Sequence, residues 1–248
     1  SHDPETLTPT GLYLEPAATN IALRTHNFTS TAGYSTNNIS VVRNPNGYIS
    51  PTGEDNDGIG LLTETTANST HWIQSLAQLN QMNVPYSLSV WVKPLTTDRD
   101  IQLRLNAIGN TTARVRFDLQ NGTVKFNYGN SGTSSLGVAW TMDDPTIEKY
   151  PNGWYRLQLH NFVMTSGLTG HCRLAIYHFR TTANNGESDQ FAGDGQSKFL
   201  LWGIQIERGS KRVTSYIRNT TTSELQRTPD IYTSTPNLTE TFEPRGLL

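Results

Sequence analysis

Two acidic residues in the segment Glu187-Ser188-Asp189 have a spacing that could support hydrolysis of a glycosidic bond. On a β-strand, residues two positions apart lie on one face at about 7 Å, and glycosidases use carboxylates about 5–9 Å apart. However, the pair lies in a polar stretch, residues 184–195, that is typical of a loop. The sequence also lacks a Gly-x-Ser-x-Gly elbow, a His-x-x-x-His pattern and a P-loop. We therefore predict a protein that is not an enzyme.

A second acidic segment, Glu54-Asp55-Asn56-Asp57-Gly58, offers the hard oxygen ligands that calcium prefers. It lacks the frame of an EF-hand, and acidic turns are usually only solvated, so Asp55 and Asp57 are weak calcium candidates. The single cysteine, Cys172, excludes an intramolecular disulfide and a cysteine-based zinc site. Cys172 lies in an alternating apolar run and is predicted to be a core thiol. We expect no cofactor, with calcium as the alternative.

Six side chains are of the types that hold a carbohydrate, for which an aromatic ring packs on the C–H face and planar polar groups bind the hydroxyls. Trp91 and Lys93 share the polar face of a predicted strand, and Arg104 lies on a following strand. The further candidates are Trp72, Trp140 and Tyr128. Because tryptophan is highly buried on average, each aromatic ring has a core position as its alternative.

The elements that must position these residues are predicted to be β-strands, because runs of alternating apolar and polar residues recur between Gly, Pro, Asn and Asp. In one run Leu88, Val90 and Val92 share a face, and an Asn121-Gly122 turn joins two further runs as a hairpin. The best helical window, residues 70–82, is weak. The sequence thus predicts an all-β fold, an antiparallel β-sandwich.

The predicted strand at residues 199–207 carries two alternating sets of side chains. We expect Trp202, Ile204 and Ile206 to point into the core, and Gln205 and Glu207 to point away from it. The polar pair has two interpretations, as anchors of a covering loop or as part of a concave binding face. We favour the loop anchors.

The domain organisation is simple. Residues 1–10 and 233–248 are rich in Thr, Pro and Glu and are predicted to form an N-terminal and a C-terminal arm. Residues 11–232 form the predicted sandwich domain, in which a strand near the N-terminus pairs with one near the C-terminus. No stretch approaches the roughly 18 apolar residues of a membrane span.

Six segments, in this order and spacing, resemble a β-sandwich module of bacteriophage tail fibres and tailspikes: residues 11–20, 89–93, 117–124, 152–156, 201–217 and 227–230. The resemblance implies a jelly-roll of the concanavalin A-like or carbohydrate-binding-module-like kind. It also implies a place on a homotrimeric fibre or spike that contacts host-surface glycans. It defines no binding residues.

We therefore expect a non-catalytic virion domain that binds host polysaccharide during phage attachment, with other virion proteins as partners. The alternatives are a structural capsid, neck or fibre adaptor without a ligand and, less favoured, a polysaccharide depolymerase. The chain has a net charge of −2 and only 16% charged residues, and it has no basic run longer than two. We therefore expect no nucleic-acid or membrane partner, and weak, salt-insensitive, multivalent binding of a neutral or mildly acidic polymer.

Overall fold

A computed structural model describes residues 15–28, 33–54, 58–96, 98–107, 110–133, 138–167, 170–180 and 189–230. The predicted arms at residues 1–10 and 233–248 and the calcium candidates Asp55 and Asp57 lie outside these ranges, as does Glu187. Within them, the secondary structure is almost wholly β-strand, with one 3-10 turn at Pro151–Gly153.

The strands follow one another with short connections and are numbered in chain order. They are β1 (Ala18–Asn20), β2 (Tyr34–Asn37), β3 (Ile39–Arg43), β4 (Gly60–Glu64), β5 (Asn68–Ser69), β6 (Trp72–Ser75), β7 (Tyr86–Pro94), β8 (Arg99–Ala107), β9 (Asn110–Asp118), β10 (Thr123–Asn127), β11 (Ser131–Thr133), β12 (Ala139–Thr141), β13 (Thr146–Lys149), β14 (Tyr155–Ser166), β15 (Cys172–Arg180), β16 (Phe191–Ala192), β17 (Lys198–Arg208) and β18 (Leu225–Arg227).

Two antiparallel sheets form the sandwich. The six-stranded sheet has the order β10-β9-β8-β15-β6-β2. The ten-stranded sheet has the order β11-β12-β14-β7-β17-β1-β18, with β13, β3 and β4 attached beside this path. The long strands β7, β14 and β17 lie in the ten-stranded sheet, and β8, β9 and β15 lie in the six-stranded sheet, so the predicted fold class is confirmed. Residues 70–82, the weak helical window, form β6 and an irregular connection, in agreement with the all-β prediction.

Burial of one face of each sheet explains why these segments form strands. Leu103 and Leu105 of β8 meet Val90 and Val92 of β7 in a single core, in which the Cys172 thiol is also fully buried. Each strand contributes its alternate residues to this core, so the residues between them must face outward. The predicted core position of Cys172 is confirmed.

A strand near the N-terminus pairs with one near the C-terminus, as predicted. Strand β1 pairs antiparallel with β18, so chain segments near the two termini meet in one sheet. The chain divides into two compact units, of which the sandwich is Ala18–Arg227. The second unit contains Glu15 and Asp230, and its chain segments are joined by two hydrogen bonds. The Glu15 N–H donates to the Asp230 carboxylate at 3.1 Å, and the Asp230 N–H donates to the Glu15 carbonyl at 3.0 Å.

A β-bulge in β17 changes which side chains face the core. The pairing of β17 with β7 shifts between Trp202 and Gln205, and Gly203 within the shift has a φ of +59°. One extra residue therefore reverses the alternation. Ile204 and Ile206 point into the main core as predicted, but Trp202 belongs to a separate cluster on the outer face. The prediction for Trp202 was wrong because sequence alternation alone does not reveal a bulge.

We predict that Gly203→Ala lowers the free energy of unfolding by about 2–3 kcal/mol, measured by urea denaturation. Left-handed backbone costs about 1 kcal/mol for any residue with a Cβ. The new Cβ would also lie 3.0 Å from Trp91 Cε3 and 3.2 Å from Tyr216 Cε2, which adds roughly 1–2 kcal/mol. Gly47→Ala is the matched control, since Gly47 has a φ of +83° and nothing within 4 Å of its added Cβ. Equal losses in both variants would contradict the close packing at Gly203.

A buried ion-pair cluster connects the two sheets at one end. The carboxylate of Glu64 in β4 accepts from Arg99 of β8 at 2.6 and 2.9 Å and contacts His178 Nδ1 of β15 at 3.2 Å. The Asp194 N–H donates to the same carboxylate at 2.8 Å. Burial alone would raise the pKa of Glu64, but these hydrogen bonds outweigh it and lower the pKa to about 2. The carboxylate is therefore charged and fully paired.

We predict that Glu64→Gln lowers the free energy of unfolding by about 3 kcal/mol at pH 7, because it removes the enclosed carboxylate that pairs with Arg99 and leaves this buried guanidinium with the more exposed carboxylates of Asp98 and Asp194. The folded pKa of Glu64 lies below its ordinary value of 4.5, so its contribution is complete above pH 4.5 and is lost as the pH falls toward 2. The difference between wild type and variant should shrink over that window in a urea series. Glu224→Gln, which removes an exposed pair with Arg208, should cost below about 1 kcal/mol. A pH-independent difference for Glu64→Gln would refute the assignment.

Candidate functional site

The outer face of the ten-stranded sheet is closed by the segment at residues 210–219. The Gln205 side chain accepts from the Ile217 N–H at 2.6 Å and donates to the Ser215 carbonyl at 3.3 Å. The Glu207 carboxylate accepts from both the N–H and the hydroxyl of Thr214 at 2.8 Å. Gln205 and Glu207 therefore anchor a covering loop, as favoured, and do not line a binding face.

Trp91 lies beneath this covering loop and is only 4% exposed. Its ring packs edge-on against Trp202 and Tyr216, with centroid distances of 5.2 and 5.3 Å. The Arg156 guanidinium lies 4.2 Å from the ring centroid. The strand face of Trp91 was predicted correctly, but the expected open aromatic ring is not found because the loop covers it. Lys93 lies on the same face and is half-buried.

Trp140 takes its alternative position in the main core. It is 5% exposed and lies on β12, with its ring 6.0 Å from that of Phe162. Its ring is therefore closed to a ligand in this structure. Trp91, Lys93 and Trp140 are not brought together with the other three candidates.

The outer face of the six-stranded sheet brings together Trp72, Arg104 and Tyr128. Because Leu103, Leu105 and their equivalents in neighbouring strands are buried, the intervening residues of these strands face outward. Register pairs Trp72 of β6 with Tyr177 of β15, Tyr177 with Gln102 of β8, and Arg104 with Arg114 of β9. We call this surface the six-stranded face.

Arg104 lies at the centre of the six-stranded face and is held in a fixed orientation. Its Nη1 donates to Asp189 Oδ2 at 2.6 Å, and its guanidinium lies 4.0 Å from the Tyr177 ring centroid. With the Gln102 amide turned so that its oxygen faces Arg104, that oxygen accepts from Nε at 2.9 Å. Burial raises the pKa of the Tyr177 hydroxyl, which therefore stays protonated at neutral pH. Arg104, Asp189 and Gln102 therefore form an ordered polar surface beside the Tyr177 ring.

Trp72 adds a second aromatic ring next to this polar surface. Its ring centroid lies 6.2 Å from that of Tyr177, with 40° between the planes. Trp72 and the neighbouring Gln74 are half-buried, whereas Tyr177 is 7% exposed. Part of the Trp72 side chain is thus accessible beside amide and guanidinium groups, the combination that a sugar requires.

A second Arg–aromatic group lies toward β10. The guanidinium of Arg114 lies 4.0 Å from the Tyr128 ring centroid, and the Tyr128 hydroxyl accepts from Arg116 Nη2 at 3.1 Å. Arg116 is fully buried, and burial lowers the pKa of its guanidinium. Burial likewise raises the pKa of Asp100, although Lys125 at 2.9 Å opposes this.

Sequence inspection missed the remaining residues of the six-stranded face, namely Tyr177, Gln102, Arg114, Arg116 and Arg173. A search for consecutive basic residues does not detect them, because in strands they occupy alternate positions or lie far apart in the chain. The sequence did contain a signal for them, namely the polar residues at alternate positions of each predicted strand, as in Arg114-x-Arg116. Such residues share one face of the strand. The absence of a long basic run therefore does not describe how strand pairing distributes the arginines in the folded chain.

A metal site, a membrane-spanning helix and a hydrolytic acidic pair are the other features to consider in the described ranges. They contain no group of three His, Cys, Asp or Glu side chains placed to hold a metal ion. They also contain no helix long and apolar enough to cross a membrane. Asp189, one member of the acidic pair considered for hydrolysis, is bound to Arg104.

Comparison with known proteins gives a likeness in fold only. No family model and no curated protein matches the chain. The CBM22-1 xylan-binding domain of Paenibacillus barcinonensis Xyn10C is similar at 12% identity and a TM-score of 0.36, over 81% of this chain and 99% of that one. The CBM22-1–GH10 modules of Clostridium thermocellum Xyn10B, complexed with xylohexaose, are similar at 12% identity and a TM-score of 0.35. That match covers 83% of this chain and 30% of the other. Both are similar in being β-rich domains, and neither likeness carries an argument about the ligand.

We predict that Trp91→Ala lowers the free energy of unfolding by about 3–5 kcal/mol, because it opens a cavity in the cluster beneath the covering loop. Thermal melting and urea denaturation would measure the loss. Tyr48→Ala is a useful comparison, since Tyr48 is a half-buried residue at the margin of the same cluster and should cost less. A Trp91 variant as stable as wild type would show that the loop does not pack on the ring.

Proposed function

We propose that the chain is a non-catalytic carbohydrate-binding domain and that the six-stranded face is its binding surface. The observation that carries the proposal is the placement of Trp72 and Tyr177 beside Arg104 and Asp189. One sheet face of the sandwich is closed by its own loop, whereas the other presents aromatic and planar polar groups together.

The chemistry of this group suits a sugar. The accessible part of Trp72 offers an apolar surface to the C–H face of a pyranose ring. Gln74 and the Asp189 carboxylate, which is 28% exposed, lie nearby with amide and oxygen groups for hydroxyls. The Tyr177 ring is fixed by the stacked Arg104, so little side-chain entropy is lost on binding.

More specifically, we propose that the chain is a domain of a bacteriophage fibre or spike and attaches the virion to host surface polysaccharide. We propose that it does so as a homotrimer. The support for this proposal is the sequence resemblance in the six ordered segments. A single face with one or two aromatic contacts would bind weakly, with millimolar to high-micromolar affinity. Three copies on one fibre would raise the avidity by about 10²–10⁴.

A glycan array that includes bacterial surface polysaccharides tests the proposal, followed by titration of the strongest ligand. We predict that Trp72→Ala reduces affinity about fivefold to tenfold, because a stacked ring contributes about 1 kcal/mol. The variant should retain most of its stability, since Trp72 is half-buried.

Tyr48→Ala is the matched control, because it removes a half-buried aromatic ring on the other sheet. It should leave binding unchanged. Loss of binding in the Tyr48 variant with retention in the Trp72 variant would place the site elsewhere. Absence of binding to every glycan would favour a structural fibre or capsid adaptor.

A further inference from the structure

Two arginines lie directly opposite each other on the six-stranded face. Arg104 of β8 and Arg114 of β9 are register partners, and Arg116 follows two residues further along β9. Like charges directly opposite each other on adjacent strands are unfavourable. Asp189 neutralises Arg104 at 2.6 Å, but Arg114 has no carboxylate partner among the described residues, and its guanidinium lies over the Tyr128 ring.

Arg173 of β15 is a further cation on the same face. It pairs in register with Asn106 of β8, and its half-buried side chain has no ion pair within the described ranges. Its Nε is buried and has no hydrogen-bond partner among the described residues. Because the side chain as a whole is half-buried and not enclosed, part of it is accessible to a ligand from solvent.

Among the residues that the structure describes, the charges of the six-stranded face therefore do not balance. The described residues contribute five cations, Arg104, Arg114, Arg116, Lys125 and Arg173, and three carboxylates, Asp100, Asp118 and Asp189. Five minus three leaves an excess of two positive charges, although the whole chain has a net charge of −2. A local field of opposite sign to the whole molecule attracts anions to this surface.

We propose that the ligand of the six-stranded face is an acidic polysaccharide, bound through carboxylates that lie against Arg114 and Arg173. This inference rests on the proposed function and names the ligand class. The two arginines lie on strands that flank β8, so their backbones are about 10 Å apart laterally. That separation suits a polymer with repeated charges better than a single small anion. Guanidinium groups bind carboxylates through paired hydrogen bonds.

A basic recess of about 330 Å³ outside the six-stranded face is the alternative anion site. It is lined by Arg24, His26, Asn27, Arg43 and Thr220. Arg43 lies in β3, which belongs to the ten-stranded sheet, and is exposed. Arg43→Gln therefore removes one positive charge outside the six-stranded face and serves as the control.

The experiment compares polygalacturonate with the same polymer after carboxyl reduction, alongside a panel of acidic and neutral bacterial polysaccharides. Wild-type protein should bind the acidic members more tightly, and binding should fall about tenfold between roughly 0.02 and 0.2 M salt. Arg114→Gln and Arg173→Gln should each weaken binding about tenfold, with melting temperatures near that of wild type. Arg43→Gln should bind as wild type does.

The outcomes separate the two proposals. Preference for acidic polymers that is lost in the Arg114 and Arg173 variants supports the inference. Equal binding of neutral and acidic partners overturns it and leaves the proposed function standing. Binding that fails in Arg43→Gln alone also overturns it, because the basic recess would then be the anion site. No binding across the panel overturns both. If one arginine variant fails to fold, the comparison of polymers with wild-type protein still tests the acidic ligand class, and the other arginine variant with Arg43→Gln still tests the location of the site.

Discussion

The rest of the structure depends on one constraint, which is that the two sheets must bury one apolar face each against the other. Side chains alternate along this part of β8, so burial of Leu103 and Leu105 places Arg104 on the outside. The same requirement in β9 and β15 places Arg114 and Tyr177 beside it. The candidate site is thus a consequence of the core, since the residues that build the hydrophobic interior also fix the direction of the polar side chains between them.

The two outer faces follow the same rule but differ in what covers them. On the ten-stranded sheet, Gln205 and Glu207 bind the backbone of the loop at residues 210–219, which buries Trp91 and Trp202. The polar groups of the loop and the sheet form hydrogen bonds with each other, and these bonds stabilise the buried Glu207 carboxylate. On the six-stranded sheet, outward side chains are held by residues that lie outside the strands, since Arg116 binds Tyr128, which follows β10, and Arg104 binds Asp189, which precedes β16. These contacts fix the orientation of the arginine side chains.

Most of the fold could be predicted from the sequence, because the long strands have a clear period of two and a strong turn at Asn121-Gly122. The error in the facing of Trp202 came from a feature without a local pattern, because the bulge at Gly203 moved this residue to the other face. Pairing with β15 and β2 made a strand of residues 72–75, which lie in the window with the best helical pattern. Of the six candidate residues, Trp72, Arg104 and Tyr128 converge, whereas Trp91 and Trp140 are buried. Burial depends on long-range contacts, which a single sequence does not specify.

The charge of the six-stranded face is the property of the candidate site that the sequence alone predicts least well. Overall charge is a sum over the chain, whereas a ligand responds to the field at the surface it contacts. Arg104, Arg114 and Arg173 are separated by many residues in sequence, and none has a basic neighbour in the chain. Strand pairing brings them onto one face, while several acidic side chains, such as Glu64 and Glu207, are enclosed elsewhere by their own hydrogen bonds. The topology of the sheets therefore gives the described residues of this face an excess of basic over acidic side chains, although the whole chain has a net charge of −2.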